Sequence, residues 1–155
     1  MKTAQVGRVV PAFSLPATGD QTIDLKALRG QRVVIYFYPK DSTPGCTTEG
    51  EDFAKNHSKF KKLNTIILGI SRDSVASHEK FRAKYNFPFD LLSDQDEIAC
   101  GIFDVIKEKN MYGKKVMGIE RSTFLLDEKG KLVREWRKVK VKGHVEEVLQ
   151  AAQDL

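Results

Sequence analysis

Cys46 has more chemistry available to it than any other residue in this chain, because of the segment it closes, Pro39-Lys-Asp-Ser-Thr-Pro-Gly-Cys46. The thiolate rather than the thiol is the nucleophile, and an ordinary cysteine is mostly protonated at neutral pH. A helix N-terminus favours the anion, since its unpaired backbone N–H groups and aligned peptide dipoles meet negative charge there. Pro39 stops an apolar run, Pro44 and Gly45 shape a turn, and a helical pattern begins at or just after Cys46. Thr43 stands three residues before the sulfur, where a turn brings its hydroxyl close. Such a sulfur suits attack on an oxidant like a peroxide, in which charge builds on the departing oxygen. Backbone N–H groups at the helix start, the Thr43 hydroxyl and a permanently charged arginine would each lower that barrier. Residue order alone does not say which arginine that is.

The elements that must position this sulfur are legible around it. Residues 33–38 and 65–70 are short apolar runs rich in β-branched and aromatic residues, as in inner strands covered on both faces. Between them, Cys46, Gly50, Phe53, His57 and Phe60 recur at helical spacing and predict a helix over about 46–63 with that side toward the sheet. Strand, helix and strand make a βαβ unit, which crosses over right-handed. A second helix is expected over Val75–Tyr85 after a Ser74 cap, with His78, Phe81, Arg82 and Tyr85 on one face. A short strand is expected at 89–92 and a short helix over 95–103. Residues 104–120 read as a long basic loop, a place to look for a site wall. Strands at 122–126 and 131–136 flank the turn Asp127-Glu-Lys-Gly130, and a closing helix carries Val145, Val148, Leu149, Ala152 and Leu155 on one stripe. At the front, Phe13–Pro16 and Thr22–Leu25 form a hairpin around Gly19-Asp20. Gly50 is expected to ease opening of the reactive helix, so that Gly50→Ala slows recovery of the sulfur more than its oxidation.

Composition narrows the classes. The 155 residues, 41% hydrophobic, suit one domain with one core. No apolar run approaches the roughly 18 residues of a membrane span, and the N-terminus lacks a secretory signal, so a cytoplasmic protein is expected. Two cysteines are too few for a disulfide framework, and no Cys/His spacing suggests zinc, so neither metal nor cofactor is expected. The missing Cys-x-x-Cys argues against a thiol–disulfide oxidoreductase. The net charge of +5 gathers in IKEKNMYGKKV and WRKVKVKGH. These read as solvated faces, since a nucleic-acid partner would call for stacking aromatics and a recognised motif.

Pro39-x-x-x-Thr43-x-x-Cys46, within FYPKDSTPGCTTEG, resembles the active-site signature of the peroxiredoxins. With Glu120-Arg-Ser-Thr-Phe-Leu-Leu-Asp127 it resembles the bacterioferritin comigratory protein (PrxQ) subfamily, and the similarity runs from VGRVVPAFSLPATGD to the last helix. The resemblance implies an α/β thioredoxin-like domain over residues 1–155, with an N-terminal hairpin and inserted elements. It implies a thiol-dependent peroxidase, a monomer, acting on hydrogen peroxide and organic hydroperoxides. By the same resemblance Cys46 is the peroxidatic cysteine and forms a sulfenic acid. Thr43 orients the peroxide, Pro39 shields the pocket, and Gly45 and Arg121 complete the substrate site. Glu49 matches a residue common in the subfamily, or is simply a favourable carboxylate near a helix start. The chain departs from the pattern where many members carry a resolving cysteine: position 51 is Glu, and position 82 is Arg. Cys100 is then either an inert thiol among small apolar neighbours or an unusual resolving cysteine. The reductant is a thioredoxin, a glutaredoxin or a low-molecular-weight thiol. A peroxide sensor or holdase-type stress protein is the alternative on the same fold.

Overall fold

The first hairpin forms where the turn chemistry places it. Gly19 and Asp20 both take positive φ, +80° and +53°, joining β1 (Ser14–Ala17) to antiparallel β2 (Gln21–Asp24). The computed structural model describes residues 3–155. The chain continues as β3 (Arg32–Phe37), α1 (Pro44–Lys62), β4 (Thr65–Ser71), α2 (Val75–Tyr85), β5 (Asp90–Ser93) and α3 (Ile98–Ile102). Then follow β6 (Ile106–Met111), β7 (Lys114–Ile119), β8 (Ser122–Leu126), β9 (Leu132–Trp136) and α4 (His144–Gln153).

One sheet has the order β2-β1-β5-β4-β3-β8-β9, with β3, β4 and β5 parallel and β8 and β9 antiparallel to their neighbours. This is the mixed α/β, thioredoxin-like architecture the element order predicts. Side chains alternate across β3 and build two cores. Val33, Ile35 and Phe37 enter one with Phe103, Phe124, Leu126 and Cys100. Val34 and Tyr36 enter the other with Cys46, Phe53, Phe60, Phe81 and the apolar stripe of α4. The continuous apolar runs thus reflect strands buried on both faces.

Two expectations need correction. Residues 104–120 are not a loop: β6 and β7 pair from Ile106↔Ile119 to Met111↔Lys114 as a separate two-stranded arm. Only its base is buried, through Ile119, while Met111, Tyr112, Val116 and Met117 are exposed. An arm with solvent on most of both faces needs no apolar alternation. Leu155, placed on the α4 stripe, lies beyond the helix and is exposed. No helix among the described residues is long and apolar enough to cross a membrane.

Candidate active site

Strand register decides what meets Cys46. The chain leaves the C-terminal end of β3 through Tyr38 and Pro39 and enters α1 at Pro44, the favoured proline position of a helix start. Cys46 is therefore the third helical residue, two positions deeper than a helix beginning at the cysteine would place it. Thr47 N–H makes the first helical bond, to Thr43 O at 2.9 Å. Among the described residues, the N–H groups of Gly45 and Cys46 have no protein acceptor. β8 runs antiparallel to β3 with Ser122 opposite Phe37, so Arg121 lies just past the end of β3, beside the start of α1.

Arg121 bridges two groups of α1. Its Nη2 donates to Cys46 Sγ at 3.4 Å, and its Nη1 donates to Glu49 Oε1 at 2.6 Å. Glu49 is one turn along from the cysteine and fully buried, so its carboxylate aims the guanidinium at the sulfur. A Cβ on Gly45 would stand 3.2 Å from Arg121 Nη2, which explains a glycine there.

The charges in this pocket do not balance, and the protonation of Glu49 responds. Burial raises its pKa from 4.5 to about 7, against the pull of Arg121. Near neutrality Glu49 therefore exchanges between its ionised and protonated forms, and the protonated form leaves Arg121 to the sulfur. Burial alone would weaken the charge on Arg121, but Glu49 and Cys46 outweigh it and raise its pKa. Tyr36 is stacked on Phe53 at 4.5 Å, and its hydroxyl titrates well above its usual value, first through burial and then through Glu49 and Cys46. Tyr36 Oη and Glu49 Oε2 are buried and have no hydrogen-bond partner among the described residues. Tyr36 had no signal beyond its place in an apolar strand.

The other expected residues fall as follows. Thr43 caps α1 by position, but its hydroxyl donates to Lys40 O at 2.8 Å, so it offers lone pairs to a ligand and no proton to sulfur. Pro39 is half-buried where β3 gives way to the site connector. On the basic arm, Lys109 of β6 is half-buried, and burial followed by the nearby Arg121 charge lowers its pKa. His57 is half-buried at the far part of α1, away from Cys46 in sequence by three turns. Gly50 has a packing reason that sequence spacing hides: a Cβ there would meet Phe87 Cζ at 2.5 Å.

Cys100 is not brought to Cys46. It is fully buried in the core on the opposite face of the sheet, with its N–H donating to Asp94 Oδ2 at 2.7 Å. Burial, reinforced by Asp94, pushes its thiol pKa far above the ordinary range.

The AhpC/TSA family model matches residues 6–135. Peroxiredoxin Bcp of Xanthomonas campestris pv. campestris is 61% identical over 142 residues, 90% of this chain and 88% of the relative. Peroxiredoxin Bcp of Bacillus subtilis is 48% identical over 153 residues, 99% of this chain and 98% of the relative. Among solved structures, Xanthomonas campestris peroxiredoxin Q matches with a TM-score of 0.88 at 58% identity, covering 92% of this chain and 90% of that one. A cysteine variant of Xylella fastidiosa PrxQ matches with a TM-score of 0.93 at 45% identity, covering 99% and 98%. A cysteine held at a helix start under an arginine fork, on this sheet and at these identities, means that the chain belongs to the AhpC/TSA family, among its Bcp/PrxQ peroxiredoxins.

Proposed function

We propose that this thiol-dependent peroxidase works by a one-cysteine cycle centred on Cys46, acting on hydrogen peroxide and organic hydroperoxides as a single domain over residues 1–155. The observation that carries the reading is the fork of Arg121, anchored on Glu49 at 2.6 Å and reaching Cys46 Sγ at 3.4 Å. It lies beside two N–H groups without protein acceptors.

In the first step the Cys46 thiolate attacks one peroxide oxygen and the O–O bond breaks. The sulfur becomes a sulfenic acid, and the alcohol or water leaves after taking a proton. Arg121 and the N–H groups of Gly45 and Cys46 face the charge that shifts from sulfur to oxygen. The Thr43 oxygen accepts from the peroxide O–H, and Pro39 screens the pocket from bulk water. In the second step an external thiol attacks the sulfenic sulfur, releasing water and leaving a mixed disulfide. A second thiol then frees Cys46 by exchange. The place of Cys100 across the sheet supports an external reductant: a thioredoxin, a glutaredoxin or a small thiol. Alkyl peroxide reduction activity attributed to the Xanthomonas campestris bacterioferritin comigratory protein supports the organic substrates. We place the protein in the cytoplasm as a monomer.

Intact mass after one equivalent of peroxide tests the cycle, on wild type and on Cys100→Ser. Both should gain one oxygen, and both should form a mixed disulfide when a small thiol is added. A loss of two hydrogens in wild type alone means a Cys46–Cys100 bond and overturns the one-cysteine route. Consumption of many equivalents of peroxide per chain separates an enzyme from a sensor, which stops at one.

A further inference from the structure

The connector between β3 and α1 is tied to the fold mainly at one point, Asp41. Its Oδ1 accepts from the Tyr38 hydroxyl at 2.7 Å, and its Oδ2 accepts from Ser77 Oγ at 2.8 Å. That same Oδ2 lies 2.7 Å from His78 Nδ1, and His78 is wholly buried. His78 Nε2 is 2.9 Å from Leu92 O, which only accepts, so that nitrogen carries a proton. The backbone N–H of Asp41 donates to Asp73 Oδ2 at 2.9 Å, and Asp73 is itself held by Ser71 Oγ at 2.5 Å. Asp41, Asp73 and His78 crowd within 4.8 Å, and these mutual bonds account for the crowding without a metal ion.

Asp41 thus joins the end of β3 to α2 and, through His78, to β5. The rest of the connector is loosely held. The Thr43 hydroxyl bonds only within it, to Lys40 O, and Ser42 is exposed at a φ of +64°, a strained conformation for serine. Downstream, the next fixed point is the Glu49–Arg121 pair. Cys46 lies between the two ties and is only 2% exposed, so a reductant reaches its sulfur only when this stretch moves.

We propose that Asp41 and His78 are positioning residues that set the balance between the two half-reactions of Cys46. Closed, the pair presents the Gly45 and Cys46 N–H groups and Thr43 to a peroxide. Released, it lets the first turn of α1 unwind and expose the oxidised sulfur to a thiol. This rests on the peroxidase cycle proposed above. Neither residue touches the reacting atoms, so weakening the tie acts through the population of closed and open forms. Oxidation needs the closed form and reduction the open one, so the two rates must move in opposite directions. Loss of structure alone would lower oxidation without a matched gain in reduction.

The two ring nitrogens of His78 allow a direct test. Asparagine places an amide N–H near the Nδ1 position and keeps the donor to Asp41. Glutamine reaches the Nε2 position and keeps only the bond to Leu92. Rapid-quench mass spectrometry would follow oxidation of Cys46 by hydrogen peroxide, then reduction of the sulfenic acid by dithiothreitol. In Asp41→Asn and His78→Gln the closed–open balance should shift about tenfold, the loss of one hydrogen bond to a charged group, so reduction should rise several-fold while oxidation falls by a smaller factor. His78→Asn should return both rates toward wild type. Ser77→Ala, which removes one half-buried bond to Asp41, should show the same signs at smaller size even if the other variants fold poorly. Rates that fall together, or stay unchanged, in folded variants overturn the proposal, as does rescue by glutamine rather than asparagine. A wild type that does not oxidise at Cys46 overturns the peroxidase cycle as well, which separates the two failures.

Discussion

Gly50→Ala tests whether packing or helix propensity governs the reactive helix. Propensity favours the change, since alanine in a helix interior is worth about 1 kcal/mol over glycine. Packing opposes it. The added Cβ would lie 2.5 Å from Phe87 Cζ and 3.0 and 3.1 Å from the adjoining ring carbons. Carbon atoms rest at roughly 3.5–4.0 Å, so the ring must retreat by about 1 Å. Neighbouring rings resist that retreat, for Phe87 is edge-on to Phe81 at 5.0 Å and stacked on Phe89 at 5.3 Å. Overpacking of this kind costs about 1–3 kcal/mol, which outweighs the propensity gain. The expected net effect is a loss of up to about 2 kcal/mol in urea unfolding, with little change in the denaturant slope. Oxidation of Cys46 should slow as well, because α1 is pushed off the sheet one turn from the sulfur. Adding Phe87→Leu should restore much of the stability, giving a coupling of about 1 kcal/mol in the double-mutant cycle. A Gly50→Ala protein as stable as wild type or more so, with no coupling to position 87, refutes the packing account. It would return Gly50 to the role its helix position suggests, easing the opening of α1.

Arg121→Lys should lower the rate of Cys46 oxidation by about 10²–10³, because one ammonium cannot hold Glu49 and the sulfur together as the fork does; stopped-flow oxidation within threefold of wild type would sink that role. Glu49 is raised to about 7 when folded against 4.5, so its contribution is fully present below pH 4.5 and is lost as pH rises through 7. The difference in urea stability between wild type and Glu49→Gln should therefore shift by about 3 kcal/mol toward the variant from pH 4.5 to 8, and a flat difference counts against a buried titrating Glu49. His144 has the opposite sign: burial lowers it to about 4, so wild type should lose about 2 kcal/mol relative to His144→Asn as pH falls from 6.5 to 4. Equal acid sensitivity of the two proteins would disprove it.

The βαβ half could be read from sequence because its strands are buried on both faces and leave unbroken apolar runs. Cys46, Thr43 and Pro39 were readable because a single short connector holds them. What escaped was set by contacts between distant parts of the chain. Arg121 meets Glu49 across 72 residues; the family resemblance named Arg121, but residue order carries no trace of its pairing with Glu49. His78 meets Asp41 across 37 residues, and at helical spacing it looks like one more residue on an apolar face. The arm of β6 and β7 was hidden for a different reason: its strands pair only with each other, so nothing forces apolar alternation on them.

The alternation along β3 also bears on how Cys46 recovers. Residues 33, 35 and 37 point to the core that holds Cys100, and residues 34 and 36 point to the core that holds Cys46. A disulfide needs Cα atoms within about 7 Å, whereas a layer packed on a sheet lies about 10 Å from it on either face. A Cys46–Cys100 bond would have to pass through β3 and its neighbours, the most buried strands of the molecule. Unwinding the first turn of α1 breaks far less, because the Gly45 and Cys46 N–H groups make no helical bonds to lose. The sheet therefore favours a cycle in which the oxidised sulfur moves outward to an external thiol. The ties that hold it inward, Asp41 on one side and Arg121 on the other, become the control points of turnover.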